Sequence, residues 1–214
     1  LFGLAAVLVV ALPEPRDALL RQALASTTTK DEAAVAAKVV VPVAAPVPMA
    51  EPIRHTAASE SAQDVEQRAL AEYIARRYRV AESASSAFVS TAYHAGREHS
   101  VDPLLILAVM AIESGYNPVA ESSMGAKGLM QVIPRFHQEK LFEHGGEPAL
   151  LDPKVNIQVG ARILREYMRR FGATEAALQM YGGAMDEPTA QYAGKVLAEK
   201  ARLLQFVARL RRQA

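Results

Sequence analysis

The sequence predicts an all-α domain behind a long non-globular N-terminal stretch, and three observations carry that reading. Apolar residues recur at helical spacing from about residue 65 onward, and no stretch alternates like a half-buried strand. The residues that build cores are also unevenly placed. Residues 1–64 hold one of the 13 Phe and Tyr residues and one of the 12 Gly, but six of the 12 Pro. The folded domain is therefore expected over 65–214. Charge narrows the function. With 24 Lys+Arg against 23 Asp+Glu, the formal net charge of +1 excludes a globally basic nucleic-acid binder. The chain has no cysteine, which excludes disulfides, thiolate zinc sites and cysteine nucleophiles.

Leu1 to Leu12 is an uncharged apolar run, shorter than the ~20 residues that a bilayer span needs. It begins without a methionine and reads as the truncated core of a signal peptide or of an inner-membrane anchor. Residues 13–64 read as a flexible linker. Pro42, Pro46, Pro48 and Pro52 block continuous helix and favour extended, polyproline-like backbone. With almost no aromatics to bury, this composition cannot offset the entropy of ordering it.

Val65, Ala69, Leu70, Tyr73 and Ile74 share one face of a first helix ending near Arg79. Ser83 is placed to cap a second helix, in which Phe88, Ala92, Tyr93 and Gly96 recur at helical spacing. Asp102-Pro103 then supplies a cap followed by proline at the first helical position. The next eleven residues, LLILAVMAIES, carry no charge before Glu113, and Gly115 can close the helix in a left-handed turn. Apolar on every face, this is the expected central core helix. Further helices are expected over Gly125–Ile133, Val155–Phe171, Thr174–Tyr181 and Thr189–Arg212, with Asp152 as a turn or cap before Pro153.

Glu113 is the anomaly. A carboxylate in the last turn of the most hydrophobic helix is subject to two forces that raise its pKa: desolvation and the negative end of the helix dipole. A carboxylic acid still protonated near neutral pH is what a general acid must be. The bland reading is a surface glutamate where a core helix emerges into solvent. The loop after it, Ser122 to Gln131, is rich in small residues. Gly125 and Gly128 allow close approach of a ligand or of a neighbouring helix. Gln131 offers an amide suited to orienting a carboxyl or a sugar amide. Spacing alone leaves ligand contact and helix packing equally open.

Residues 101–134 closely resemble the catalytic core of the family 1 lytic transglycosylases, the soluble lytic murein transglycosylase type. Three blocks carry the resemblance: Glu113-Ser114-Gly115-Tyr116-Asn117-Pro118, Ser122 with Gly125-Ala126, and Gly128-Leu129-Met130-Gln131. Asn156-Ile157 followed by Gly160 resembles a further family segment. The likeness extends over roughly residues 68–205 and implies a lysozyme-like, all-α fold with a glycan cleft.

It implies cleavage of the MurNAc-β-1,4-GlcNAc bond of peptidoglycan with formation of 1,6-anhydromuramoyl ends, without metal or other cofactor. Glu113 would be the single catalytic acid and base, an exception to the two-carboxylate scheme of most glycosidases. Ser122, Met130, Gln131, Tyr181 and Tyr192 would contact substrate, with Tyr181 bringing its hydroxyl to the catalytic carboxyl. Ser122 matches a serine near the N-acetyl group of the scissile sugar. Met130 matches a cleft-floor or packing position, and core packing is an equal reading for Tyr192. One block departs: where the family usually has Ala-Tyr-Asn-x-Gly, this chain has Met180-Tyr181-Gly182-Gly183-Ala184.

The implied partner is the peptidoglycan glycan strand, in the periplasm or cell envelope, with inner-membrane association through the N-terminal segment. Two alternatives remain: a hydrolytic muramidase of the goose-type lysozyme kind, and a catalytically weakened glycan-binding protein of envelope assembly. His94, His99, His137 and His144 show no metal-ligand spacing. Asp186 and Glu187 read as a solvated loop pair, with a second cleft carboxylate as the other option. Residues 191–214 hold six Lys and Arg against one acid, Glu199. That basic helix reads as a solvated face, or as a surface for anionic peptide stems or acidic lipid.

Overall fold

The computed structural model describes residues 61–213. The expected segments at 1–12 and, but for its last four residues, 13–64 lie outside the described residues. Helix α1, Ala62–Tyr78, begins three residues before the apolar period places it, because Ser61 caps it. The Ser61 hydroxyl oxygen accepts from the Asp64 amide, and the Asp64 carboxylate accepts the Ser61 amide in return. This is a capping box, which satisfies two otherwise orphaned donors.

Arg79 takes a left-handed conformation and ends α1, and α2 (Glu82–His99) starts only three residues later. That tight reversal puts Ser83 inside the first turn, so the expected serine cap does not form. The N-cap is Ala81, with no side-chain bond.

Asp102 caps α3 (Pro103–Glu113) as the sequence suggests, its carboxylate accepting the Leu104 amide at 2.9 Å. Every residue from Leu104 to Met110 is buried. Two consecutive left-handed residues, Gly115 and Tyr116, end the helix. Tyr116 then folds back under it, and its buried hydroxyl donates to the Leu107 carbonyl at 2.9 Å.

The helix expected over Gly125–Ile133 is absent. Positive φ at Gly125, Gly128 and Gln131 breaks the helical path, and the segment instead forms isolated antiparallel bridges, Glu121 with Lys127 and Lys127 with Val132. No strand occurs among the described residues. Short 3₁₀ turns and the single-turn α4 (Gln138–Leu141) lead to α5 (Pro153–Phe171). Asp152 caps α5, accepting from the amides of Lys154 and Val155. Helix α6 spans Thr174–Tyr181 as the periodicity indicates, and α7 spans Gln191–Gln213.

The apolar helix α3 packs most extensively against α7 and is flanked by α2. Helix α2 also packs on α1 and α5, and α5 on α6. The shared core runs from Leu70 and Ile74 through the α3 residues to Ile157, Leu164, Val196 and Leu203. No helix among the described residues is long and apolar enough to cross a membrane.

The irregular 120–132 loop is held against this core by one amide. Asn156, fully buried in the first turn of α5, accepts the Met130 amide at 2.7 Å through its Oδ1. Its Nδ2 donates to the carbonyls of Lys127 and Leu150 at 2.8 and 2.9 Å. The Met130 amide and the Leu150 carbonyl thereby find partners, and the Lys127 carbonyl gains a second donor beside the Val132 amide. Gly128 must be glycine here, with φ +74 and with the Asn156 amide where its Cβ would stand. Replacing Asn156 by Ala should destabilise the protein by about 2–4 kcal/mol, since it leaves buried backbone groups unpaired. Urea unfolding would measure the loss, and a change below about 1 kcal/mol would show that the loop does not depend on this side chain.

Candidate active site

The C-terminal end of α3, the 120–132 loop and the start of α7 enclose a cleft of about 970 Å³, at the upper end of the range for ligand sites. Glu113, Ser122, Gln131, Tyr181 and Tyr192 all line it. Glu113 is the last residue of α3, and the left-handed pair behind it turns the chain away, leaving the carboxyl at the cleft wall. The Tyr192 hydroxyl, from the first turn of α7, donates to Glu113 Oε1. Burial pushes the carboxyl from its ordinary value of 4.5 up to about 7, and the Tyr192 hydrogen bond pulls the other way. Near neutrality a substantial fraction of Glu113 is therefore protonated and able to donate. Burial and the neighbouring Glu113 charge raise the pKa of Tyr192, which stays a neutral donor.

The loop side chains divide their hydrogen-bonding capacity between fold and cleft. The Ser122 hydroxyl oxygen accepts from the amides of Ala126 and Met124, at 3.1 and 3.3 Å, which leaves its proton for a cleft ligand. Gln131 spends its amide nitrogen on the loop, donating to the carbonyls of Ala120 and Gly128 at 3.1 and 3.0 Å. Oε1 is what it retains for a ligand. The Ser114 hydroxyl donates to the Leu129 carbonyl at 2.8 Å and so ties the loop to the end of α3.

Two expected contacts are placed differently. Met130 is fully buried and does not line the cleft. Its side chain lies against Gly160, where an added Cβ would sit 2.5 Å from the sulfur, so it packs the loop onto α5 rather than meeting substrate. Tyr181 lines the cleft, but its hydroxyl donates to the Met130 carbonyl at 2.9 Å. The tyrosine bonded to the carboxyl is Tyr192. Tyr181 lies at the end of α6, where the Met130 carbonyl is the acceptor it meets, while α7 packed along α3 brings Tyr192 to the helix terminus.

Asp186, Glu187 and Lys195 also line the cleft. Glu187 is engaged as a cap for α7, accepting from the Thr189 hydroxyl and from the Gln191 amide at 2.7 Å. Three of the basic residues of α7 are spent within the fold: Lys200 pairs with Asp102, Arg202 with Glu199, and Arg211 with Glu66.

Sequence reasoning missed Gln179. It is buried in α6, donates to the Ala184 carbonyl at 2.8 Å and accepts the Ala193 amide at 2.9 Å. Its signal was a polar residue directly after Ala177-Leu178 on an apolar helix. The exposed rim residues Met124, Phe136 and Met185 had no such signal.

Parts of this chain are similar to known proteins. Residues 90–186 match the family model described as the Transglycosylase SLT domain. A transglycosylase of Enterobacteria phage PRD1 is 35% identical over 108 residues, covering 48% of this chain and 39% of that protein. An endo-type membrane-bound lytic murein transglycosylase A of Klebsiella pneumoniae is 43% identical over 76 residues, covering 33% of this chain and 37% of its own length. The chain thus spans well under half of these relatives. In structure it is similar to the 70 kDa soluble lytic transglycosylase of Escherichia coli, with a TM-score of 0.53 and 20% identity, over 70% of this chain and 31% of that one. Among the described residues the fold is all-α and lysozyme-like.

The raised carboxyl has a stability consequence. A folded pKa above the unfolded value means that the contribution of Glu113 is fully present below about pH 4.5 and is lost as pH rises through about 7. Glu113→Gln should therefore match wild type at pH 4 and exceed it by on the order of 1–3 kcal/mol at pH 8. Denaturant titrations at the two pH values check this, and a pH-independent difference would contradict it.

Proposed function

We propose that this protein is a peptidoglycan lytic transglycosylase that cleaves the MurNAc-β-1,4-GlcNAc bond with Glu113 as its catalytic acid and base. The observation that carries the reading is a carboxyl with its pKa near 7, in a roomy cleft, with a neutral tyrosine as its hydrogen-bond donor. Glu113 gives its proton to the glycosidic oxygen as the C1–O4 bond breaks. The resulting carboxylate takes the proton of the muramoyl 6-hydroxyl as O6 closes on C1. The proton returns to Glu113, no water is consumed, and a 1,6-anhydromuramoyl end is left. One carboxyl that crosses its pKa near neutrality suits both steps.

In this reading Ser122 and the Gln131 Oε1 hold sugar substituents. Tyr181 and Tyr192 form the floor beside the acid. The relatives named as membrane-bound murein enzymes support a cell-envelope location. The same proposal takes residues 1–12 as signal or anchor and 13–64 as linker, on composition, ahead of the catalytic domain.

The test is incubation of the full chain with purified sacculi and mass spectrometry of the released muropeptides. Anhydro ends are expected. Reducing ends would make the protein a muramidase, and no new ends would make it a glycan binder. Glu113→Gln should lower turnover by at least ~10²–10⁴-fold, the usual worth of a general acid–base group. Wild-type turnover in the folded variant would remove Glu113 from the mechanism.

A further inference from the structure

Gly182 stands where the resemblance breaks, and its surroundings account for the glycine. Its backbone, with φ −76° and ψ 2°, is open to any residue. The turn's conformational demand falls instead on Gly183, at φ +66. What excludes a side chain at 182 is Tyr192. A Cβ added there would stand 2.6 Å from Tyr192 Cγ and 2.7 Å from both Cδ atoms, far inside van der Waals contact. These atoms are the root of the ring, and moving them moves the hydroxyl.

Neither segment can simply back away. Gln179 ties the Ala184 carbonyl, just after the glycine pair, to the Ala193 amide, next to Tyr192. With both backbones held by one buried amide, a side chain at 182 would force the ring itself to swing. Its hydroxyl is the donor to Glu113 Oε1.

We propose that Gly182 is a positioning residue: its missing side chain is the seat of the Tyr192 ring and thereby sets the Tyr192 hydroxyl on Glu113. The inference deepens the reading of Glu113 as the acid, and rests on it for the catalytic consequence only. The seat itself is geometric. The remaining ionisable groups lining the cleft around Glu113 are His137 from the loop after Gln131, Tyr167 from α5, Tyr181 from α6, Asp186 and Glu187 from the following loop, and Lys195 from α7. The substitutions below leave all of them in place.

The experiment compares full-length wild type, Gly182→Ala, Tyr192→Phe and the double variant. Glu113 is titrated by carboxyl carbon NMR, and the pH profile of turnover on sacculi is recorded in parallel. The Tyr192 hydrogen bond lowers the Glu113 pKa, so Tyr192→Phe should raise it. Gly182→Ala should raise it in the same direction with the hydroxyl still in the chain, and the double variant should titrate like Tyr192→Phe alone. Turnover in Gly182→Ala should fall roughly 10–100-fold in kcat, as expected for a misplaced catalytic partner, with KM little changed. The descending limb of its pH profile should move to higher pH.

A second comparison isolates the steric cause and remains readable if Gly182→Ala alone folds poorly. In a Tyr192→Ser background, where the ring is gone, adding Gly182→Ala should leave the melting temperature unchanged. The proposal is overturned if Gly182→Ala leaves the Glu113 titration at its wild-type position. It is equally overturned if the alanine costs the same stability with and without the ring. The titration needs no turnover, so failure to form anhydro ends would sink the functional reading and leave this one to be judged separately.

Discussion

The structure depends on a carboxyl being kept at the end of a helix that has no polar face. Seven successive residues of α3 are buried, from Leu104 to Met110, so α3 requires neighbours on all sides. A helix in that position delivers its last residue to a boundary between core and cleft, where water is scarce on one side only. The acid strength of Glu113 is thus a product of packing. Its carboxyl is hard to ionise because of what the preceding ten residues need from the rest of the chain.

Around that helix the irregular backbone is managed by a few side chains that act as spacers. Asn156, Gln179 and Ser114 each bond main-chain groups that no ladder serves. Such groups are costly to leave unpaired once buried. The glycines fit the same scheme: Gly160 admits Met130, Gly128 admits Asn156, and Gly182 admits Tyr192. Each lets a larger side chain approach the backbone closely enough to fix the loop on which a cleft residue sits.

Much of this was legible in the sequence because it is local. The Asp102-Pro103 cap, the apolar run behind it and the glycine after Glu113 are neighbours in the chain, and their meaning follows from helix geometry. The 17-residue α1 was placed within three residues at its start, and Thr174–Tyr181 fell within its observed bounds. Apart from the Ser83 cap, which the tight α1–α2 reversal forestalls, failures came where two distant segments decide the outcome. The 125–133 loop looks helical by composition, yet Asn156, from 26 residues further on, holds it in another shape. Sequence reading likewise put the wrong tyrosine on Glu113. Which hydroxyl reaches a carboxyl depends on how α6 and α7 cross α3, and no spacing encodes that. Met130 was readable as apolar, but not as facing away from the cleft.

The place of α7 in the chain has a consequence for how the protein is made. Tyr192 meets Glu113 across 79 positions of sequence, and Arg211, near the other end of the same helix, clasps Glu66 across 145. Its 23 residues make a rod of about 34 Å at 1.5 Å per residue, pinned at both ends to parts synthesised much earlier. Until that rod emerges from the ribosome, α3 has no partner on its widest flank and cannot be buried. Closure of the core and completion of the acid's surroundings are therefore one late event, dominated by long-range contacts.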